Sequence, residues 1–190
     1  MKIVLINPPF EDAISISGDR LRKAFLEVSA PLGIAYIASV LEKNNYQVII
    51  FDSTMGIPQS ELLDSLKKEN PDIIGITAMS PTFGTAKRIA ESIRNILPRV
   101  IIVIGGAHVS ALPYEVMLFD CFDIGVIGEG EITFLELVKR VEESGLKNLE
   151  NICGIAYKKD GNVILNGRRD FVKNLDDLPF PDRTLLKRDL

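Results

Sequence analysis

Asn70-Pro71-Asp72-Ile73-Ile74-Gly75-Ile76-Thr77-Ala78-Met79-Ser80-Pro81 decides how this chain is read. Pro71 stops whatever helix precedes it, because the residue before a proline avoids the helical region. Ile73–Thr77 is a near-continuous apolar run rather than an alternating one. Strands buried on both faces read this way, as in a parallel sheet covered by helices. Ser80-Pro81 then reads as an N-cap followed by proline at the first helical position. The segment is therefore a helix stop, a buried strand and a helix start.

The same unit recurs outward in both directions. Ile3–Ile6, Val48–Phe51, Val100–Ile104 and Phe122–Ile127 are similar runs. Helical patterns are expected at 31–44, 59–69, 82–97, 111–118 and 131–144. Ile89, Ile93 and Ile96 recur on one helical face. Leu97-Pro98 closes the third helix, and Gly145 stands where a C-terminal cap is expected. Right-handed crossovers then give an α/β fold, a doubly wound five-stranded parallel sheet in the flavodoxin-like order 2-1-3-4-5. After Gly145 the pattern changes. Ile152–Tyr157, a polar turn over 158–162 and Val163–Leu165 read as a C-terminal β-hairpin. From Asp170 periodicity is lost, and Asp176-Asp177-Leu178-Pro179-Phe180-Pro181 reads as an extended connector. The expected division is a Rossmann-like domain over 1–148, a hairpin extension over 149–169 and a linker over 170–190.

Composition narrows the function classes. The chain has 190 residues, 46% hydrophobic and 25% charged, which is enough for a core without disulfides or metals. A net charge of −4 gives no reason to expect nucleic acid or an anionic membrane as partner. No apolar run approaches a membrane span, and Asn7-Pro8-Pro9 interrupts the first apolar run too early for a secretory signal. Cys121 and Cys153 form no Cys-x-x-Cys pair and there is one histidine, so no zinc site or all-cysteine iron–sulfur cluster can be built from this chain alone. Two reduced cysteines in a cytoplasmic protein is the expectation.

In such a sheet, ligands bind beyond the carboxyl ends of the strands. The first of those loops, after Asn7, has two prolines and no Gly-x-Gly-x-x-Gly, so it is not a dinucleotide fingerprint. No P-loop is present. Thr77 stands where a phosphoacceptor aspartate would be needed, and a single histidine among glycines makes no Ser-His-Asp set. What remains is a pair of glycine loops, Gly105-Gly106 and Gly128-Glu129-Gly130. Missing side chains there let a flat or bulky ligand lie against backbone, although a tight turn is the plainer use of one glycine. His108 offers metal ligation, base catalysis, a bond to a ligand's polar tail or a bond to a neighbouring carbonyl; contact with ligand is favoured. Ser80 and Thr82 serve equally as ligand contacts or caps. Met79 flanks the same cleft and doubles as core packing. Glu129 and Glu131 fit a helix N-terminus better than acid–base work. Asp52 fits an Asx turn. Arg20, Arg22 and Lys23 read as a solvated charged loop.

Asn7-Pro8-Pro9, Ala30-Pro31-Leu32-Gly33-Ile34-Ala35-Tyr36-Ile37-Ala38, Pro71–Thr77, Gly105-Gly106-Ala107-His108-Val109-Ser110 and Gly128-Glu129-Gly130-Glu131-Ile132-Thr133-Phe134, in this order and spacing, resemble the N-terminal cobalamin-binding domain of cobalamin-dependent radical SAM enzymes. The resemblance covers nearly the whole chain, Leu178-Pro179-Phe180-Pro181 included. It implies a corrinoid-holding domain followed by a barrel that binds a 4Fe-4S cluster and S-adenosylmethionine. It further implies an enzyme, in many members a methyltransferase, that moves a methyl group by way of cobalt to an unreactive centre of a small-molecule substrate. The cluster-binding cysteines would follow the connector and are not in this sequence, so the fragment alone is expected not to be catalytic.

One departure is informative. Related mutases carry Asp-x-His-x-x-Gly after the first strand, and its histidine ligates cobalt. Here that loop is Asn7-Pro8-Pro9-Phe10. The expectation is base-off cobalamin without that ligand, contacted by Asn7, Pro8, Pro9, Thr77, Met79, Ser80, Thr82, Gly105, Gly106, His108, Ser110, Gly128, Glu129 and Gly130. Two other readings stay open: a stand-alone corrinoid carrier or sensor, and a cofactor-free docking domain.

Overall fold

A computed structural model describes residues 1–10, 30–181 and 183–187 of the chain. Arg20, Arg22 and Lys23, with the loop they belong to, lie outside the described residues. The strands of the parallel sheet are β1 (Lys2–Asn7), β2 (Gln47–Asp52), β3 (Ile73–Thr77), β4 (Ile101–Gly105) and β5 (Ile124–Val126). They lie side by side in the order 2-1-3-4-5, all parallel. The connecting helices are α1 (Leu32–Lys43), α2 (Gln59–Glu69), α3 (Phe83–Ile96), α4 (Ala107–Ala111), α5 (Pro113–Met117) and α6 (Gly130–Ser144).

The strands are apolar all along because helices cover both faces. On one side Val4, Ile6, Ile74, Ile76, Ile102 and Ile104 pack against Leu62 and Leu66 of α2 and Ala86, Ile89 and Ile93 of α3. On the other side Leu5, Ile73, Val103 and Val126 pack against Ile34, Ala38 and Leu41 of α1 and Phe134, Leu137 and Val138 of α6. Each fully buried Ile or Leu contributes roughly 1.5–3 kcal/mol, so the two layers dominate stability.

The sheet grows at both edges. β6 (Ile155–Lys159) and β7 (Asn162–Leu165) form the expected hairpin, and β6 adds antiparallel to β5. At the far edge the connector is not structureless. After 3-10 turns at Leu175–Asp177 and Arg183–Leu185 it places β8 (Leu186–Lys187) parallel to β2.

Three local expectations need correction. The helix expected at 111–118 is two short helices that meet at Leu112, because Pro113 has no amide hydrogen and starts α5 instead of continuing α4. Ser80 is not the N-cap of α3; a 3-10 turn at Ser80–Thr82 precedes it, and the Thr82 hydroxyl accepts from the Met79 amide at 3.0 Å. The fifth strand is shorter than 122–127; just before it Asp123 pairs with Ile102 both ways, its amide donating to the Ile102 carbonyl at 2.9 Å and its carboxylate accepting from the Ile102 amide at 2.7 Å. Gly145 caps α6 as expected, with φ +63° and its amide donating to Val141 at 2.8 Å. No helix among the described residues is long and apolar enough to cross a membrane.

Candidate functional site

Alternation along the strands carries Leu5, Gly75, Thr77, Val103, Gly105 and Val126 to the α1/α6 side. Between that side and the two helices lies a cavity of about 210 Å³. Leu5, Gly75 and Val103 are direct neighbours across β1, β3 and β4 and make its floor. Gly33, Ile34 and Ile37 of α1 and Phe134 of α6 make its walls. Its upper edge, at the carboxyl ends of the strands, is Thr77, Gly105, Gly106 and the run Gly128 to Glu131.

Two glycines let the cavity's walls approach its floor. A Cβ on Gly75 would stand 2.7 Å from the Leu5 side chain and 3.2 Å from the Phe134 ring. A Cβ on Gly130 would stand 2.8 Å from Ile37. The adjacent pair at the end of β4 divides into two roles. Gly106 sits at φ +101°, and a Cβ there would be 2.6 Å from the Ala78 carbonyl oxygen, so it is a turn glycine held by backbone. Gly105 has ordinary room for a Cβ, 3.6 Å from Val126, and faces the cavity. Of this pair only Gly105 leaves space beside the cavity, as Gly33 and Gly128 do elsewhere along its lining.

The other residues singled out in the sequence occupy the same edge but do not line the cavity. Ser110 ties the two glycine loops together: its hydroxyl donates to Gly106 O at 3.0 Å and accepts from the Gly128 amide at 2.9 Å. His108 is half-buried, with Nδ1 3.1 Å from the Ser80 hydroxyl and its ring stacked on Phe83 at 4.3 Å. Phe83 begins α3, so this corner belongs to the opposite face of the sheet. Met79 stands exposed beside it, and Thr82 is buried in its turn. Asn7 donates to Asp52 at 2.9 Å; Asp52 also accepts from the amide and hydroxyl of Thr54, the expected Asx turn. Pro8 and Pro9 follow that corner.

Glu129 has a partner the sequence does not announce. It lines the cavity edge, and its carboxylate accepts from the Val172 amide at 2.8 Å. Three residues earlier, Arg169 reaches back to α6, where it pairs with Glu136 and donates to the Thr133 hydroxyl. The connector is thereby pinned beside the cavity. Gly33, Ile34, Ile37 and Phe134 were also missed as lining. Their helical spacing reads as plain core, and only Gly75, a glycine inside an isoleucine strand, signals close approach.

A parallel α/β domain with a largely apolar cavity at the carboxyl edge of its sheet is a ligand-holding domain of the doubly wound class. The B12 binding domain profile matches residues 22–138, and the chain belongs to that family. It is 35% identical over its 190 residues to an uncharacterised methyltransferase of Pyrococcus horikoshii, covering 39% of that protein. It is 29% identical over 163 residues to the anaerobic magnesium-protoporphyrin IX monomethyl ester cyclase of Rubrivivax gelatinosus, covering 83% of this chain and 29% of that protein. A cytidylyl-2-hydroxyethylphosphonate methyltransferase of Streptomyces wedmorensis is 27% identical over 182 residues, covering 85% of this chain and 32% of that one. Thus the chain spans well under half the length of these relatives. The fold matches the cobalamin-dependent S-adenosylmethionine radical enzyme OxsB with aqua-cobalamin and S-adenosylmethionine bound, at TM-score 0.77 and 22% identity over 95% of this chain and 24% of that one. It also matches the radical S-adenosylmethionine methyltransferase TsrM of Kitasatospora setae, at TM-score 0.70 and 18% identity over 96% of this chain and 31% of that one.

Proposed function

We propose that this chain holds cobalamin, with the nucleotide tail in the α1/α6 cavity and the corrin ring over the carboxyl edge of the sheet. The observation that carries the reading is the cavity itself, kept open at its upper edge by Gly105. The donor chemistry fits a base-off cofactor. A cavity floored by Leu5, Gly75 and Val103 suits a flat apolar base. Among the described residues no three His, Cys, Asp or Glu side chains are grouped to hold a metal, so cobalt would be held through the corrinoid. The N-terminal turn of α6 stands at the upper edge, and the free amides that open a helix would suit the tail's phosphodiester. Thr77, Gly106, Gly128, Glu129 and Gly130 complete that edge. Asn7, Pro8, Pro9, Met79, Ser80, Thr82, His108 and Ser110 would meet the corrin periphery or shape the loops that do.

When bound, cobalamin supplies a cobalt centre able to accept and donate a methyl group. The chain's own contribution is to bind the tail, keep water from the cavity and leave the far side of cobalt open to a second domain. We further read the chain as the 1–148 binding domain, 149–169 hairpin and 170–190 linker of a cytoplasmic radical SAM enzyme. The barrel would bring the 4Fe-4S cluster and S-adenosylmethionine, and the reaction would be methyl transfer to an unreactive centre of a small molecule. Names of the relatives and the pinned connector support this.

The test is an absorbance titration with hydroxocobalamin on the chain and on Gly105→Leu, which places a side chain in the cavity without straining backbone. Saturable binding with a base-off spectrum, lost in the variant, is expected. Equal binding by both proteins overturns the placement. No binding by the chain or by its full-length parent returns the domain to a docking role.

A further inference from the structure

The deep part of the cavity carries no hydrogen-bonding side chain. Leu5, Ile34, Val103 and Phe134 surround it, and the polar members of the lining (Thr77, Glu129, Glu131) belong, with Val126, to the upper edge. The backbone there is equally unavailable. The row Leu5, Gly75 and Val103 spends its amides and carbonyls in the parallel ladders between β1, β3 and β4. A ligand group entering this depth finds dispersion contacts and no partner for a polar atom.

Corrinoids differ in the base that ends the nucleotide tail. A dimethylbenzimidazole presents one free ring nitrogen and two methyl groups. An adenine presents several ring nitrogens and an exocyclic amine. Buried donors and acceptors left unpaired lose the hydrogen bonds they made to water, and sites discriminate strongly on that ground. We propose that this cavity selects corrinoids by the polarity of the lower base, accepting benzimidazole-type tails and rejecting purine-type ones. The inference rests on the tail entering the cavity, as set out above. Val103 is the specificity-determining residue, because it is the β-branched side chain of the floor beside Gly75, and a hydroxyl there would offer a purine the partner that the floor lacks. Phe134 and Gly75 set the width, since the glycine lets the ring close over the sheet.

The experiment compares three probes on the unaltered protein: hydroxocobalamin, its adenine-tailed analogue and cobinamide, which has no nucleotide tail. The expected result is tight binding of cobalamin and at least about tenfold weaker binding of the adenine form, as loss of one hydrogen bond in a buried site produces. Affinities of the two tailed probes within threefold of each other overturn the selectivity while leaving the cofactor reading intact. Cobinamide binding as tightly as cobalamin overturns the placement of the tail, and selectivity with it. Val103→Thr, isosteric with the native residue, supplies one hydroxyl at the floor and narrows the gap between the two bases by several-fold. An unchanged gap in that variant places discrimination outside the cavity lining and overturns the assignment.

Discussion

Ile74, Ile76, Ile102 and Ile104 and their neighbours on β3 and β4, Gly75, Val103 and Gly105, alternate along the same strands yet build opposite interiors. The isoleucines fill the α2/α3 face, where every one is at most 2% exposed. On the α1/α6 face the alternating positions lose their bulk, Ile73 giving way to Gly75 and Val103 to Gly105. Leu5, Phe134 and Ile37 close in at Gly75 and Gly130, while the space beside Gly33 and Gly105 is left to the cavity. One sheet thus separates a load carried by packing from a site made by omission. The difference teaches that stability and ligand capacity can be altered separately, one face at a time.

The sharpest way to break that separation is to hollow the filled face. Ile104→Ala, at a position with no exposure, is expected to cost about 2–5 kcal/mol by lost transfer energy and an unfilled void. Urea unfolding measures it. Corrinoid affinity of the folded fraction should be unchanged. A large loss of affinity with retained fold would show that the faces are coupled through β4, and the comparison would fail.

The next effect separates the two adjacent glycines. Gly106→Ala forces a Cβ to within 2.6 Å of a carbonyl at φ +101° and is expected to cost about 1–3 kcal/mol. Gly105→Ala meets only an ordinary contact at 3.6 Å and should change stability by less than about 1 kcal/mol in either direction. Thermal unfolding of both variants decides it. Equal destabilisation would return both glycines to a single turn-forming role.

Much of this was legible in advance, for physical reasons. Continuous β-branched runs identify doubly covered strands, proline and glycine punctuation places the helices, and five such units favour the flavodoxin-like order 2-1-3-4-5 that the sheet has. Glycines 105, 106, 128 and 130 point to the edge where the cavity lies. What pattern cannot carry is which glycine opens space and which merely turns the chain. That depends on Ala78, which approaches Gly106 from the neighbouring strand end. Nor does helical periodicity distinguish Ile34 and Ile37, at a cavity wall, from Leu41, in solid core. The Arg169 and Glu129 contacts that pin the connector join residues 33 and 43 positions apart, with no local signature at either end.

The smallest expected effect is silent at neutral pH and belongs to the filled face. Burial pushes the Cys121 thiol up to about 11, with the Glu91 carboxylate adding to it. A thiol is uncharged when protonated, so the folded chain holds this proton more tightly than the unfolded chain, whose thiol titrates near its ordinary value of about 8.5. The associated stability is complete below about pH 8.5 and is lost as pH rises through about 11. Discounted for screening, the loss is on the order of 1 kcal/mol. Denaturant midpoints of the chain and of Cys121→Ala between pH 8 and 11 should therefore converge as pH rises. Cys153, which is exposed, should give no such convergence when replaced by alanine. Parallel curves for Cys121→Ala would mean that water reaches this thiol, and that the α2/α3 face is less solid there than the isoleucine layer beside it.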